Sequence, residues 1–223
     1  MKSAGKTGLF FDKLVSILKK EYTRFREPIV TLIGRREHSP FKVLISTILS
    51  LRTKDDTTAQ ATERLFRLAK TPQSMTELGV KRITEAIYPV GFYKVKAATI
   101  VDICNRLVRE FKSKVPSSLE TLLTFKGVGR KTANLVLTRG FNQPGICVDV
   151  HVHRISNRLG VLKTKDPTET EMRLREILPV KYWIIYNDLL VAYGQNVCRP
   201  LSPLCSTCRV YSFCQRVGVE RSR

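Results

Sequence analysis

Residues 125–135 read Phe125-Lys126-Gly127-Val128-Gly129-Arg130-Lys131-Thr132-Ala133-Asn134-Leu135, and the segment after them ends at Val148-Asp149-Val150-His151. Two glycines one residue apart permit a tight turn with no Cβ in the way, and the residues from Arg130 onward are good helix formers. Upstream, Ser117-x-x-Glu120 has the form of a capping box, and Leu119, Leu122 and Leu123 supply an apolar face. That helix has to end by Gly127. The stretch therefore predicts a helix, a hairpin turn and a second helix. Backbone N–H groups of Gly127, Val128 and Gly129 at the start of the second helix would form an anion site. Arg130 and Lys131 place cations in a first turn where the helix dipole disfavours them, a cluster best tolerated beside a polyanion. From the turn alone, a solvated Arg-Lys pair between two core helices is an equally good reading.

Net charge favours the polyanion. Thirty-nine Lys and Arg against 19 Asp and Glu give +20 over 223 residues, a self-repulsion that an acidic partner would offset. Nucleic acid is the expected partner. A membrane surface is the other sink for basic charge, but the apolar stretches are broken by charges well short of a bilayer span. The N-terminus also lacks a signal-type apolar core. The expectation is a monomer inside the cell, cytoplasmic in a prokaryote and nuclear in a eukaryote.

Four of the six cysteines, Cys198, Cys205, Cys208 and Cys214, fall in one Pro- and Ser-rich stretch with the pattern Cys-x6-Cys-x2-Cys-x5-Cys. Unequal spacing and the missing secretion signal argue against disulfides. Four thiolates in one loop suit zinc or an iron–sulfur cluster. Structural zinc sites usually carry two close pairs and this loop carries one, which favours iron–sulfur. Cys104 and Cys147 lie in apolar surroundings and read as buried thiols.

Helical periodicity runs through the rest of the chain. Phe11, Leu14, Ile17 and Leu18 mark an amphipathic helix ending at Lys19-Lys20, and Ser39-Pro40 opens a strongly apolar helix over residues 41–51. Further helices are predicted over 55–69, 72–78 and 80–88. After the break at Pro89-Val90-Gly91-Phe92 the pattern resumes from Ala97 to Phe111, and later helices cover 150–159, 167–177 behind Asp166 as cap, and 181–192. No alternating run argues for a sheet. The fold class is all-α.

The hairpin Gly-Val-Gly-Arg-Lys-Thr-Ala-Asn with its downstream Val-Asp-Val-His resembles the endonuclease III branch of the helix-hairpin-helix DNA glycosylases. The likeness extends over residues 40–214 and includes the cysteine spacing, which is similar to that family's 4Fe-4S loop. The resemblance implies two lobes, a helical bundle over 33–143 and an iron–sulfur domain from 1–32 and 144–223. It implies Lys131 as nucleophile and Asp149 as its carboxylate partner, acting on damaged double-stranded DNA. Lys126, Arg130 and the helix dipole would favour the neutral amine that such chemistry needs.

Other positions carry two readings. Asp149 precedes a helix and could be a plain N-cap. His151 could contact a phosphate or pack in the core. Phe92 on its loop could wedge between bases, with Lys94 and Lys96 contacting phosphate, or it could anchor the core. The family commonly has leucine at Phe92 and glutamine at Arg52, and an arginine there would read the opposite base differently. Three functions compete: a bifunctional glycosylase/AP lyase for oxidised pyrimidines, a monofunctional mismatch or adenine glycosylase, and a non-catalytic helix-hairpin-helix DNA-binding protein. Lys131 argues against the second, as does Thr47, where the adenine-removing branch has glutamate.

Overall fold

The computed structural model describes residues 2–37 and 39–223, with side chains from residue 7 onward. Among them there are helices and loops and no strand. In chain order the α-helices are α1 (Lys2–Tyr22), α2 (Ile29–Glu37), α3 (Pro40–Ser50), α4 (Asp55–Leu68), α5 (Pro72–Ile87), α6 (Tyr93–Phe111), α7 (Leu119–Leu123), α8 (Arg130–Leu135), α9 (Val150–Leu159), α10 (Pro167–Ile177) and α11 (Trp183–Asn196). They form two compact units, one of residues Ile29–Gln143 and one of Met1–Pro28 with Pro144–Arg223.

The first unit is built around α3. Ser39 Oγ accepts from the Lys42 N–H at 3.2 Å, Pro40 starts the helix, and every residue from Phe41 to Leu49 except Lys42 is buried. Burying Val43, Leu44, Ile45, Ile48 and Leu49 contributes roughly 1.5–3 kcal/mol apiece. Ser46 and Thr47 are buried as well, and their hydroxyls donate back to the Val43 carbonyl at 3.1 and 2.7 Å. Around this rod pack α2, α4, α6, α8 and a π-helical turn, Val136–Gly140, that continues α8. The helix α2 was not expected from the sequence. Gly34 interrupts its apolar face, yet a Cβ there would come within 2.8 Å of Arg139 Cβ, so the glycine is what lets α2 lie against the π-turn. The two helices expected over 72–78 and 80–88 are α5, bent at Gly79 where φ is 72°.

The second unit packs α1, α9 and α11 around Phe11, Leu14, Leu18, Val152, Ile155, Tyr186 and Leu190, with α10 against α9. The rings of Phe11 and Tyr186 meet edge to face at 6.1 Å. Asp166 Oδ1 caps α10 by accepting from the Glu169 N–H at 2.9 Å. The helix expected from residue 181 begins as a short 3-10 turn, Val180–Tyr182, and α11 continues to Asn196, past the expected end at 192. After α11 the chain has only 3-10 turns and loop, and this is where the four cysteines lie.

Candidate active site

The hairpin joins α7 to α8. Its cap differs by one residue from the expected box: Ser118, not Ser117, stands at the N-cap and accepts from the Thr121 N–H at 3.2 Å. Glu120 is still drawn in, by the Ser118 hydroxyl at 2.8 Å. That helix is over by Leu123, and Gly127 turns the chain with φ at 81°, its missing side chain leaving room for Thr99 Cγ2, which a Cβ would meet at 2.7 Å. The anion site expected from three consecutive N–H groups is smaller than that. Val128 N–H donates to the Phe125 carbonyl at 3.1 Å and the Val128 side chain is buried, so this residue anchors the turn. Gly127 and Gly129 are exposed, and their N–H groups meet no acceptor among the described residues. Arg130 and Lys131 follow, half-buried in the first turn of α8.

Asp149 is the N-cap of α9. Its Oδ1 accepts from the N–H groups of His151 at 2.9 Å and Val152 at 3.0 Å, and the residue is only 8% exposed. A carboxylate at that point satisfies two donors and complements the positive end of the helix. His151 is half-buried. Its Nδ1 accepts from Arg154 Nη2 at 3.1 Å, and a Cβ on Gly194 would come within 2.5 Å of that nitrogen. His151 thus sits beside Gly194 of α11 while remaining half-buried.

Arg52 and Phe92 lie on adjacent turns of the first unit. Both have left-handed backbones, φ 52° and 58°, and both are exposed, Phe92 by 60%. The guanidinium carbon stands 5.6 Å from the ring centroid. Core anchoring of Phe92 is therefore excluded. Lys94 is exposed, but Lys96 is not available for phosphate: it is 7% exposed and its ammonium donates to the Leu49 carbonyl at 2.8 Å, the Leu51 carbonyl and Thr53 Oγ1 at 3.1 Å. Burial pushes its pKa down to about 8.

Cys198, Cys205, Cys208 and Cys214 all line one pocket, together with Tyr193 and Arg158. Their sulfurs are free thiols. Burial, followed by the mutual repulsion of neighbouring sulfurs, holds the Cys208 and Cys214 thiols above the ordinary range. The Tyr193 hydroxyl lies 3.2 Å from Cys208 Sγ. Arg158, absent from the sequence reading, donates to Cys198 Sγ at 3.5 Å and to the carbonyls of Arg199 and Pro200. The clue to it was positional, since Arg158 follows Ile155 by three residues on the buried side of α9. A pocket with four thiols and a buried guanidinium fits an anionic thiolate-ligated centre. Among the described residues no three His, Cys, Asp or Glu side chains stand close enough to hold one metal ion. Cys104 and Cys147 are buried and do not line that pocket, and burial pushes the Cys104 thiol up to about 12.

Comparison with known proteins places this geometry. The model of the HhH-GPD superfamily base excision DNA repair protein matches residues 45–180. Endonuclease III of Thermotoga maritima is 46% identical over 182 residues, covering 82% of this chain and 85% of that protein. This chain belongs to the endonuclease III family. A trapped covalent intermediate of endonuclease III with DNA superposes with a TM-score of 0.76 at 33% identity, over 80% of this chain and 84% of the other. A non-covalent endonuclease III–DNA complex gives 0.81 at 29% identity, over 92% and 95%.

Phe92 and Arg52, at the two positions where the resemblance implied leucine and glutamine, lie against each other in the first unit. A third position, Thr47, carries no carboxylate, and its hydroxyl is committed to Val43 inside α3. No helix among the described residues is long and apolar enough to cross a membrane.

Proposed function

We propose that this chain is a bifunctional DNA glycosylase and AP lyase of base excision repair, removing oxidised pyrimidines from damaged double-stranded DNA. The observation that carries the reading is Lys131, half-buried in the first turn of α8 directly after a glycine hairpin, in a member of the endonuclease III family. Gly127 and Gly129 offer a phosphate two N–H groups that meet no acceptor among the described residues, and Arg130 adds charge beside them.

The reaction follows from an amine and a carboxylate. With the damaged nucleotide turned out of the duplex, the Lys131 lone pair attacks C1′ and the base departs with the electrons of the glycosidic bond, taking up a proton. Opening of the sugar ring gives a protonated Schiff base. Loss of a C2′ proton then expels the 3′ phosphate, and water releases the sugar fragment and restores the amine. Asp149 accepts the proton that the attacking nitrogen loses and offsets positive charge on the sugar. The Oδ1 contacts to His151 and Val152 hold its carboxylate for that task. Arg52 and Phe92 occupy the gap left by the base.

We further infer that the four cysteines hold a 4Fe-4S cluster. Such a cluster takes one thiolate at each of four irons, and the four cysteines line one pocket. When bound it would supply cross-links for a stretch that holds only short 3-10 turns and loop. Arg158 would neutralise part of its charge. A DNA-repair role also implies that the protein works inside the cell.

Borohydride reduction on abasic DNA tests the reading. The wild-type chain should form a covalent adduct, and Lys131→Ala should form none. An adduct retained by Lys131→Ala would remove Lys131 from the reaction, and no adduct with wild type would favour a glycosylase without lyase activity or a plain DNA-binding protein.

A further inference from the structure

Lys96 is the buried charge for which neither the fold nor the reaction has yet given a reason. Among the described residues no carboxylate pairs with it. An isolated ammonium in a protein interior is costly, and an apolar residue of similar length would fill the same volume without that cost. What the ammonium has instead is three oxygens for its three hydrogens: the carbonyls of Leu49 and Leu51, and Thr53 Oγ1. The two carbonyls belong to the end of α3, where the helix leaves acceptors unsatisfied and its dipole favours a cation.

The third contact extends the network. Thr53 Oγ1 also accepts from the Gly91 N–H at 3.2 Å, and Gly91 lies so close to the Arg52 carbonyl that a Cβ would come within 2.6 Å of it. On the other side, the backbone N–H of Lys96 donates to the Phe92 carbonyl at 3.0 Å. One residue thus grips the turn bearing Phe92 through its backbone and both flanks of Arg52 through its side chain. Arg52 and Phe92 each adopt a left-handed backbone that a bulky residue keeps only when its surroundings impose it. The surroundings that impose it here converge on Lys96, whose backbone N–H holds Phe92 and whose ammonium holds Leu51 and Thr53.

We propose that Lys96 is a positioning residue: it locks the end of α3, the Arg52 turn and the Phe92 turn together, so that guanidinium and ring are presented as a pair to the gap left by an extruded base. This rests on the functional reading above. It predicts that Lys96 matters where a paired, stacked base has to be displaced and matters little where the base is already gone.

The test uses Lys96→Met, which keeps the stem and removes the charge, in two single-turnover assays on the full-length protein. One follows base release from a duplex with a single oxidised pyrimidine, the other strand cleavage at a preformed abasic site. Base release should fall at least about tenfold while abasic-site cleavage changes by less than about threefold, as expected when groups are displaced without being lost. The double variant Arg52→Ala/Phe92→Ala should lose base release at least as strongly, and adding Lys96→Met to it should lower base release no further. Equal losses in both assays, no loss in either, or an additive effect on the double variant would each overturn the proposal. If Lys96→Met does not fold, Thr53→Val removes the hydroxyl contact alone and should give a smaller split, and a folded Thr53→Val with wild-type base release overturns it. A wild-type chain that cleaves no abasic DNA overturns the functional reading and this proposal together. One that does, beside an unaffected Lys96→Met, overturns only the role of Lys96.

Discussion

Asp149 carries a structural and a chemical role on one carboxylate, and two substitutions separate them. Asp149→Ala removes both Oδ1 contacts to the first turn of α9, at 2.9 and 3.0 Å, at a position water hardly reaches. Loss of an N-cap costs about 0.5–2 kcal/mol, and burial puts this one near the upper end, about 2 kcal/mol. The helix that would fray carries Val152, Ile155 and Leu159 into the core of its unit, so the loss registers in overall stability. For a chain of this size about 2 kcal/mol corresponds to a fall in Tm of about 4–8 °C. Asp149→Asn keeps an amide oxygen for the same two N–H groups and gives up only the charge at the helix start, about 0.5 kcal/mol and about 1–2 °C. Chemically the two are alike, because neither can accept a proton, and base release should drop by about 10²–10⁴ in both. Thermal melting by far-UV circular dichroism beside single-turnover base release reads both effects. If Asp149→Asn melts as low as Asp149→Ala, the cap geometry is not what holds α9. If Asp149→Asn releases base at the wild-type rate, the carboxylate has no part in the chemistry.

Other outcomes are expected elsewhere in the molecule. Gly127→Ala forces a side chain into a left-handed turn and against Thr99 Cγ2, so it should cost about 2 kcal/mol in a denaturant melt and weaken DNA binding; unchanged binding would remove the hairpin from the interface. Purified protein should absorb near ~400 nm, and Cys208→Ser should lose that band and lower Tm, whereas a colourless, zinc-loaded protein would contradict the cluster. Lys96 gives a pH signature of known sign. The unfolded lysine holds its proton up to the ordinary lysine value of 10.5 and the buried one only to about 8. Between those values the unfolded state binds more protons, and wild-type stability relative to Lys96→Met should rise with pH, by up to about 3 kcal/mol in total. A flat or falling difference would mean that the ammonium is not buried in solution.

The sequence by itself determined what depends on neighbours along the chain. Cap chemistry acts within one turn, so Ser39, Asp149 and Asp166 could be read as helix starts. Apolar periodicity acts within a few turns, so most helices and the all-α class were legible, as were the glycine hairpin and the cysteine spacing. Tertiary structure alone decided what depends on distant segments. Helix α2 exists because Gly34 lets Arg139 approach, a contact across more than a hundred residues. Ser118 displaced Ser117 as cap, Val128 turned inward and took its N–H with it, and Arg158 was drawn into the cysteine pocket. Lys96, read from its neighbours as a phosphate contact, is buried because the carbonyls that receive it lie at the end of α3. Local sequence states which groups want partners. Only the packing of remote helices supplies them, because desolvation and hydrogen-bond satisfaction are settled between elements.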